Sequence, residues 1–176
     1  MNVYHRRSFV SGAIVFFFSI CLTPFLTMAA EDSRAMFQGL KSVYVYVNPL
    51  DSKTEQKGIV ASQLRKETEQ QLKKAGIEVL SDEEFNRFKI SLKYPLARLM
   101  LSVSMDEIFT EDTALDVSNI TVEVQQAVFL GRNSRVSMFA TTWERNQISL
   151  GGSAEVQGKM RAFVAEFISA YKAANP

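Results

Sequence analysis

The chain of 176 residues sets 20 Lys and Arg against 19 Asp and Glu, a formal net charge of +1. That balance, with its lysines dispersed, argues against nucleic acid as a partner. The single His (His5) and the single Cys (Cys21) both precede Ala29, so the rest of the chain lacks Ser-His-Asp and Cys-His machinery and the usual ligands of zinc, copper and haem, and no cofactor is expected.

The chain opens on an export signal. Met1 to Arg7 carries Arg6 and Arg7 without an acid, Phe9 to Leu22 is strongly apolar, and Pro24 breaks the run before the small exit at Thr27-Met28-Ala29. A basic start, an apolar middle and a small-residue exit define a secretory signal over residues 1–29. Cleavage after Ala29 fits best, with Ala30 the alternative, which leaves one domain over residues 30–176 and a periplasmic or secreted destination. The competing reading is an uncleaved anchor, since about twenty uncharged residues can span a bilayer; Pro24 and the small exit count against it. Arg6-Arg7-Ser8-Phe9-Val10 fits a twin-arginine export motif as well as an ordinary basic start. Ile20 is too bulky to precede a lipidated Cys21. Losing Arg6 and Arg7 leaves 18 basic residues against 19 acidic ones, a net charge of −1.

Beyond a lead-in containing Met36, Phe37 and Leu40, Ser42 to Val47 alternates. Val43, Val45 and Val47 point one way, Tyr44 and Tyr46 the other, which predicts a strand. Asn48-Pro49 stops it. Ser52-Lys53-Thr54-Glu55 reads as a capping box for a long helix whose stripe is Ile59, Val60, Leu64, Leu72 and Ala75. Gly76 ends that helix and Ile77 folds back after it. A short strand covers Ile77 to Leu80, and a second capping box, Ser81 to Glu84, starts a brief helix through Phe88. Strands are predicted over about Leu96 to Phe109, Val117 to Leu130 and Val136 to Ile148, the last two forming a hairpin around Gly131-Arg132-Asn133-Ser134. Two parities are open for the fifth strand, with either Met138 and Ala140 or Phe139 and Trp143 facing inward. The closing helix carries Val156, Met160, Phe163, Val164, Phe167, Ile168 and Tyr171 as a wide stripe.

Two long helices with one apolar stripe each require a common surface. The predicted fold is therefore an α/β (α+β) two-layer sandwich, with both helices on one face of a mostly antiparallel sheet of about five strands. Among acids, Asp106-Glu107 and Glu111-Asp112 flank a strand end, where Asp106 and Glu111 offer an acid/base pair for a hydrolase. Loop acids are more often simply solvated. The second face of the sheet carries Tyr44 and Tyr46, joined by Phe139 or Trp143 among polar neighbours, which suits a docking surface; cross-strand aromatics also stabilise sheets without binding anything.

The run from Ser42 to Leu80, the strands after it, and the closing Phe167 to Pro176 resemble small exported bacterial proteins of unassigned function. The element order is similar to compact domains of periplasmic accessory proteins, such as the amino-terminal domain of the Tol-system propeller protein and the curli-secretion lipoprotein family. The resemblance implies a domain that binds other envelope proteins. The lipid-anchor cysteine of the lipoprotein members is missing. The expected function is therefore a non-catalytic accessory protein with an envelope protein as partner. It touches the membrane only if the signal stays uncleaved, and its oligomeric state is open. The alternatives are a carboxylate-dependent hydrolase and an anchored accessory subunit.

Overall fold

The computed structural model describes residues 35–89, 91, 94–110 and 113–176. Arg6, Arg7, Ala29, Ala30 and Glu111 lie outside them.

The alternation at the start of the domain becomes β1, Ser42–Val47, with Val43 and Val45 fully buried. It pairs in parallel with β2, Glu78–Val79, on one side and with β3, Leu96–Phe109, on the other. β3 then pairs antiparallel with β4, Ala114–Leu130, and β4 with β5, Asn133–Leu150, giving the order β2-β1-β3-β4-β5. Leu99, Leu101, Val103 and Met105 of β3 and Ile120, Val122 and Val124 of β4 share the buried face with the β1 valines.

That face is covered by α2, Ala61–Lys74, and α4, Ser153–Ala174, which also touch each other. The stripe of α4 packs as its period requires, burying Val156, Met160, Phe163, Val164 and Phe167. Phe37 of the lead-in is fully buried edge-on against Phe167, with ring centroids 5.4 Å apart. Tyr171 Oη donates to the Leu40 carbonyl at 2.8 Å, and Asn175 Nδ2 to the Phe37 carbonyl at 2.9 Å. The lead-in is thereby tied to the end of the closing helix.

The first long helix expected from Ser52 is two helices. α1, Ser52–Gln56, is capped by Asp51, whose carboxylate accepts the Thr54 N–H at 2.7 Å, so the cap lies one residue before the expected Ser52. Gly58, at φ +87°, ends it: its N–H donates to Glu55 O at 2.9 Å and the Ile59 N–H reaches Thr54 O at 3.4 Å. α2 ends on the same motif, with Gly76 at φ +81°, Gly76 N–H to Lys73 O and Ile77 N–H to Leu72 O, both at 3.0 Å. Thr54 has a second duty. β1 stops opposite Leu101 while β3 continues, and the buried Thr54 Oγ1 accepts the Met105 N–H at 2.9 Å beyond that end.

Among the described residues the second face is covered at its β1 end by α3, Asp82–Phe88, which starts on the expected Ser81–Glu84 capping box. The Phe85 of this helix also packs against Leu96 and, with ring centroids 6.1 Å apart, Phe139. Phe85 lies flat on Tyr44 with ring centroids 4.0 Å apart, and Leu80 and Leu96 complete a second small core.

Both parities of β5 occur, on either side of a bulge. Trp143 lies opposite Val124 and Thr141 opposite Gln125, so Thr142 is an extra residue. Trp143 faces the main core, and Phe139, opposite Ala127, faces the other way.

Candidate functional site

The four aromatic residues expected to share one surface are divided by the fold. Tyr44 is 8% exposed, with Phe85 on one side of its ring and the Arg65 guanidinium 5.4 Å from its centroid. Burial raises its phenol above the ordinary range, and the neighbouring Asp82 carboxylate adds to that. Trp143, also 8% exposed, sits in the main core between Phe37 and Phe167, with centroids at 6.4 and 6.1 Å. A partner can reach neither flat ring. Tyr46 and Phe139 remain on the second face, and Arg98 lies between them, its guanidinium carbon 5.8 Å from the Tyr46 centroid and 5.3 Å from that of Phe139. Arg98 Nε also donates to Gln125 Oε1 at 3.2 Å. Its signal in the sequence is a lone charge in the alternation from Leu96 to Met105, which parity places on the second face.

From Arg98 toward the far end of the strands the second face is a ladder of side-chain hydrogen bonds. Asn146 Nδ2 donates to Thr121 Oγ1 at 2.6 Å and to Asn119 Oδ1 at 3.0 Å. The Thr141 hydroxyl and Gln125 Nε2 donate to Glu123 at 3.2 and 3.1 Å, and Asn48 Nδ2 to Ser102 Oγ at 2.6 Å. The ladder ends in an apolar strip. Ile108 lies opposite Leu115, Leu150 opposite Val117 and Ile148 opposite Asn119, which places all of them on the second face. Ile108, Leu115, Ile148 and Leu150 are between 43% and 69% exposed, and no helix lies over them among the described residues.

Asp106, opposite Val117 and two residues before Ile108, borders this strip, and with Lys53, Gln56, Lys57, Glu107 and Phe109 it lines an open depression of about 470 Å³. Each acid there is met by a lysine. Lys53 Nζ donates to Asp106 at 2.6 Å, and Lys57 Nζ donates to Glu107 at 2.7 Å and also to Asp116. These hydrogen bonds raise both lysine pKa values, that of Lys53 chiefly through Asp106 and that of Lys57 chiefly through Asp116. Asp106 and Lys53 are both about 70% exposed in their side chains, a solvated pair fastening α1 to β3.

The whole is a small mixed α/β protein with one closed and one largely open sheet face. No protein-family model and no curated protein matches the chain. Among solved structures it is similar to the lipoprotein GNA1162 from Neisseria meningitidis, at 15% identity and a TM-score of 0.37, over 73% of this chain and 98% of that one. It is also similar to the hypothetical protein CT253 from Chlamydia trachomatis, at 10% identity and a TM-score of 0.35, over 74% of this chain and 99% of that one. At these values the likeness assigns no role.

Proposed function

We propose that this is an exported, non-catalytic accessory protein that docks another envelope protein on the open face of its sheet. The observation that carries the reading is the strip of Ile108, Leu115, Ile148 and Leu150, exposed beyond a hydrogen-bonded ladder. Contiguous exposed apolar side chains rimmed by polar ones are characteristic of interaction surfaces. Tyr46, Arg98 and Phe139 at the other end of the same face supply the residue types that anchor interfaces. Export is supported by the basic start with Arg6 and Arg7, the apolar run after it and the small residues at Ala29 and Ala30. A binding role needs neither His nor Cys, and it agrees with the resemblance in element order to periplasmic accessory domains. Against the hydrolase stands the engagement of Asp106, Glu107 and Asp116 by Lys53 and Lys57. Among the described residues no helix is long and apolar enough to cross a membrane.

Photo-crosslinking in living cells tests the reading. A crosslinking residue at Leu115 or Ile148 should give one defined adduct with an envelope protein, and one at Lys66 on α2 should not. Adducts only from Lys66, or none from the strip, would discard the docking face.

A further inference from the structure

The open face carries a charge that the fold leaves unmet. Between the rung of Arg98 and Gln125 and the apolar strip, the strand register places Arg98, Asp106, Glu123 and Glu144 on this face. Asp106 is met by Lys53. Arg98 is turned to Gln125, between the rings of Tyr46 and Phe139. Glu123 and Glu144 lie directly opposite each other on β4 and β5, and neither has an ion-pair partner among the described residues. Glu123 accepts hydrogen bonds from Thr141 and Gln125, whereas Glu144 is exposed. Like charges directly opposite are destabilising in a sheet, so the fold alone gives no reason for Glu144.

We infer, resting on the docking reading above, that the partner presents an extended segment carrying a Lys or Arg at a fixed distance from an apolar side chain. The cation sits between Glu123 and Glu144, and the apolar side chain lies on Ile148 and Leu150. Glu144, Asn146, Ile148 and Leu150 occupy alternate positions of β5, beyond its bulges, and so follow one line on the open face. A strand rises by about 3.4 Å per residue, which sets the acid pair about 14 Å from Ile148 and about 20 Å from Leu150. Asn146, bonded to Thr121 and Asn119, fills the rung between them. A segment lying along β5 at the same rise meets this order with its cation about four to six residues from its apolar side chain. Its charge would answer the Glu123–Glu144 repulsion, and the same two carboxylates reject acidic partners, anionic lipid and nucleic acid.

Crosslinking through Ile148, followed by a charge swap, tests this chemistry apart from docking itself. The segment joined to Ile148 in cells, read by mass spectrometry, should hold a Lys or Arg about four residues from the point of attachment. A synthetic peptide of that segment is then the probe for the purified protein. Glu144→Lys should weaken its binding by about tenfold or more, and Glu144→Gln by less. A peptide with its cation replaced by Glu should bind Glu144→Lys more tightly than it binds the unmodified protein. Glu144→Lys should melt no lower than the unmodified protein, because it turns a repulsion with Glu123 into an attraction; lost binding is thereby separated from lost folding. No adduct from Leu115 or Ile148, or one joining two copies of this chain, would overturn the docking reading and this inference together. A segment without Lys or Arg, a peptide that does not bind, or binding indifferent to Glu144 would overturn the inference and leave docking standing. A lower melting point for Glu144→Lys would assign Glu144 to the fold and overturn it as well.

Discussion

The two faces of this sheet are built from alternate residues of the same strands, yet they are held in different ways. On the face of Val45, Leu99, Leu101 and Val122, side chains are fully buried beneath α2 and α4. On the face of Tyr46, Arg98, Thr121 and Asn146, neighbouring side chains satisfy each other, and α3 covers the β1 end and reaches Phe139 through Phe85. Alternation divides the residues between the faces. Which face is closed depends on the helices, and α2 and α4 both bring apolar stripes to the first. The second is left with a short helix, a polar ladder and an apolar strip.

The largest contrast should appear on truncating one aromatic residue from each face. Phe167→Ala removes a fully buried ring that touches Phe37, Trp143 and Tyr171, and it should cost about 3–5 kcal/mol. Phe85→Ala strips the cover from Tyr44 in the smaller cluster and should cost less, about 1–3 kcal/mol. Denaturant melts of the two variants decide it. Equal losses would mean that the second face is as much a core as the first.

Acid should separate the faces more finely. The Arg65 guanidinium beside Asp82, with Tyr44 adding to it, holds the Asp82 carboxyl below its ordinary range, and the Ser81 backbone N–H does the same for Glu84. A carboxylate whose folded pKa is depressed stabilises the fold above its unfolded pKa, and that contribution disappears as pH falls through the folded value. The window therefore lies below about pH 4. Both groups are on α3, so hydrogen exchange over residues 81–89 should rise there first. Trp143, the one tryptophan, reports from the closed face, and its fluorescence should hold until a lower pH. Asp82→Asn should make α3 exchange faster at neutral pH and reduce its acid response. Simultaneous change in both probes would show that the faces open as one unit.

Much of this fold was legible because its signals are local. The valine alternation placed β1, the Ser81–Glu84 box placed α3, and Gly76-Ile77 placed the end of α2. Gly58-Ile59 carries the same signal as Gly76-Ile77, but in the sequence an apolar stripe at helical spacing runs on past it and masks it. The helix is in fact divided there, with both isoleucines buried. The site was less legible. Parity sent Tyr44 to the second face correctly, but nothing local to β1 shows that Phe85 lies over it. The separation of Phe139 from Trp143 depends on one extra residue, Thr142, selected by pairing with β4. A residue spacing of four cannot reveal that. The strip of Ile108, Leu115, Ile148 and Leu150 comes from strand ends far apart in sequence, brought together by register alone.

The smallest expected effect is the one that bears most on function. Ile148 and Leu150 are 69% and 67% exposed, so little apolar area is returned to water when they are replaced. Threonine is the informative substitute, because it is β-branched and suited to a strand while it removes most of the apolar surface of either side chain. Ile148→Thr and Leu150→Thr should each change the free energy of unfolding by about 0.5 kcal/mol or less, the range of ordinary surface changes. Because the two side chains lie two residues apart on one face, the double variant should be measured beside the singles. A loss above about 1.5 kcal/mol at either position would mean that the strip is packed in solution and serves stability as Leu101 does, contrary to the exposure seen here. Unchanged melting together with loss of the adduct formed from Leu115 would separate the faces completely, one needed for folding and the other free for a partner.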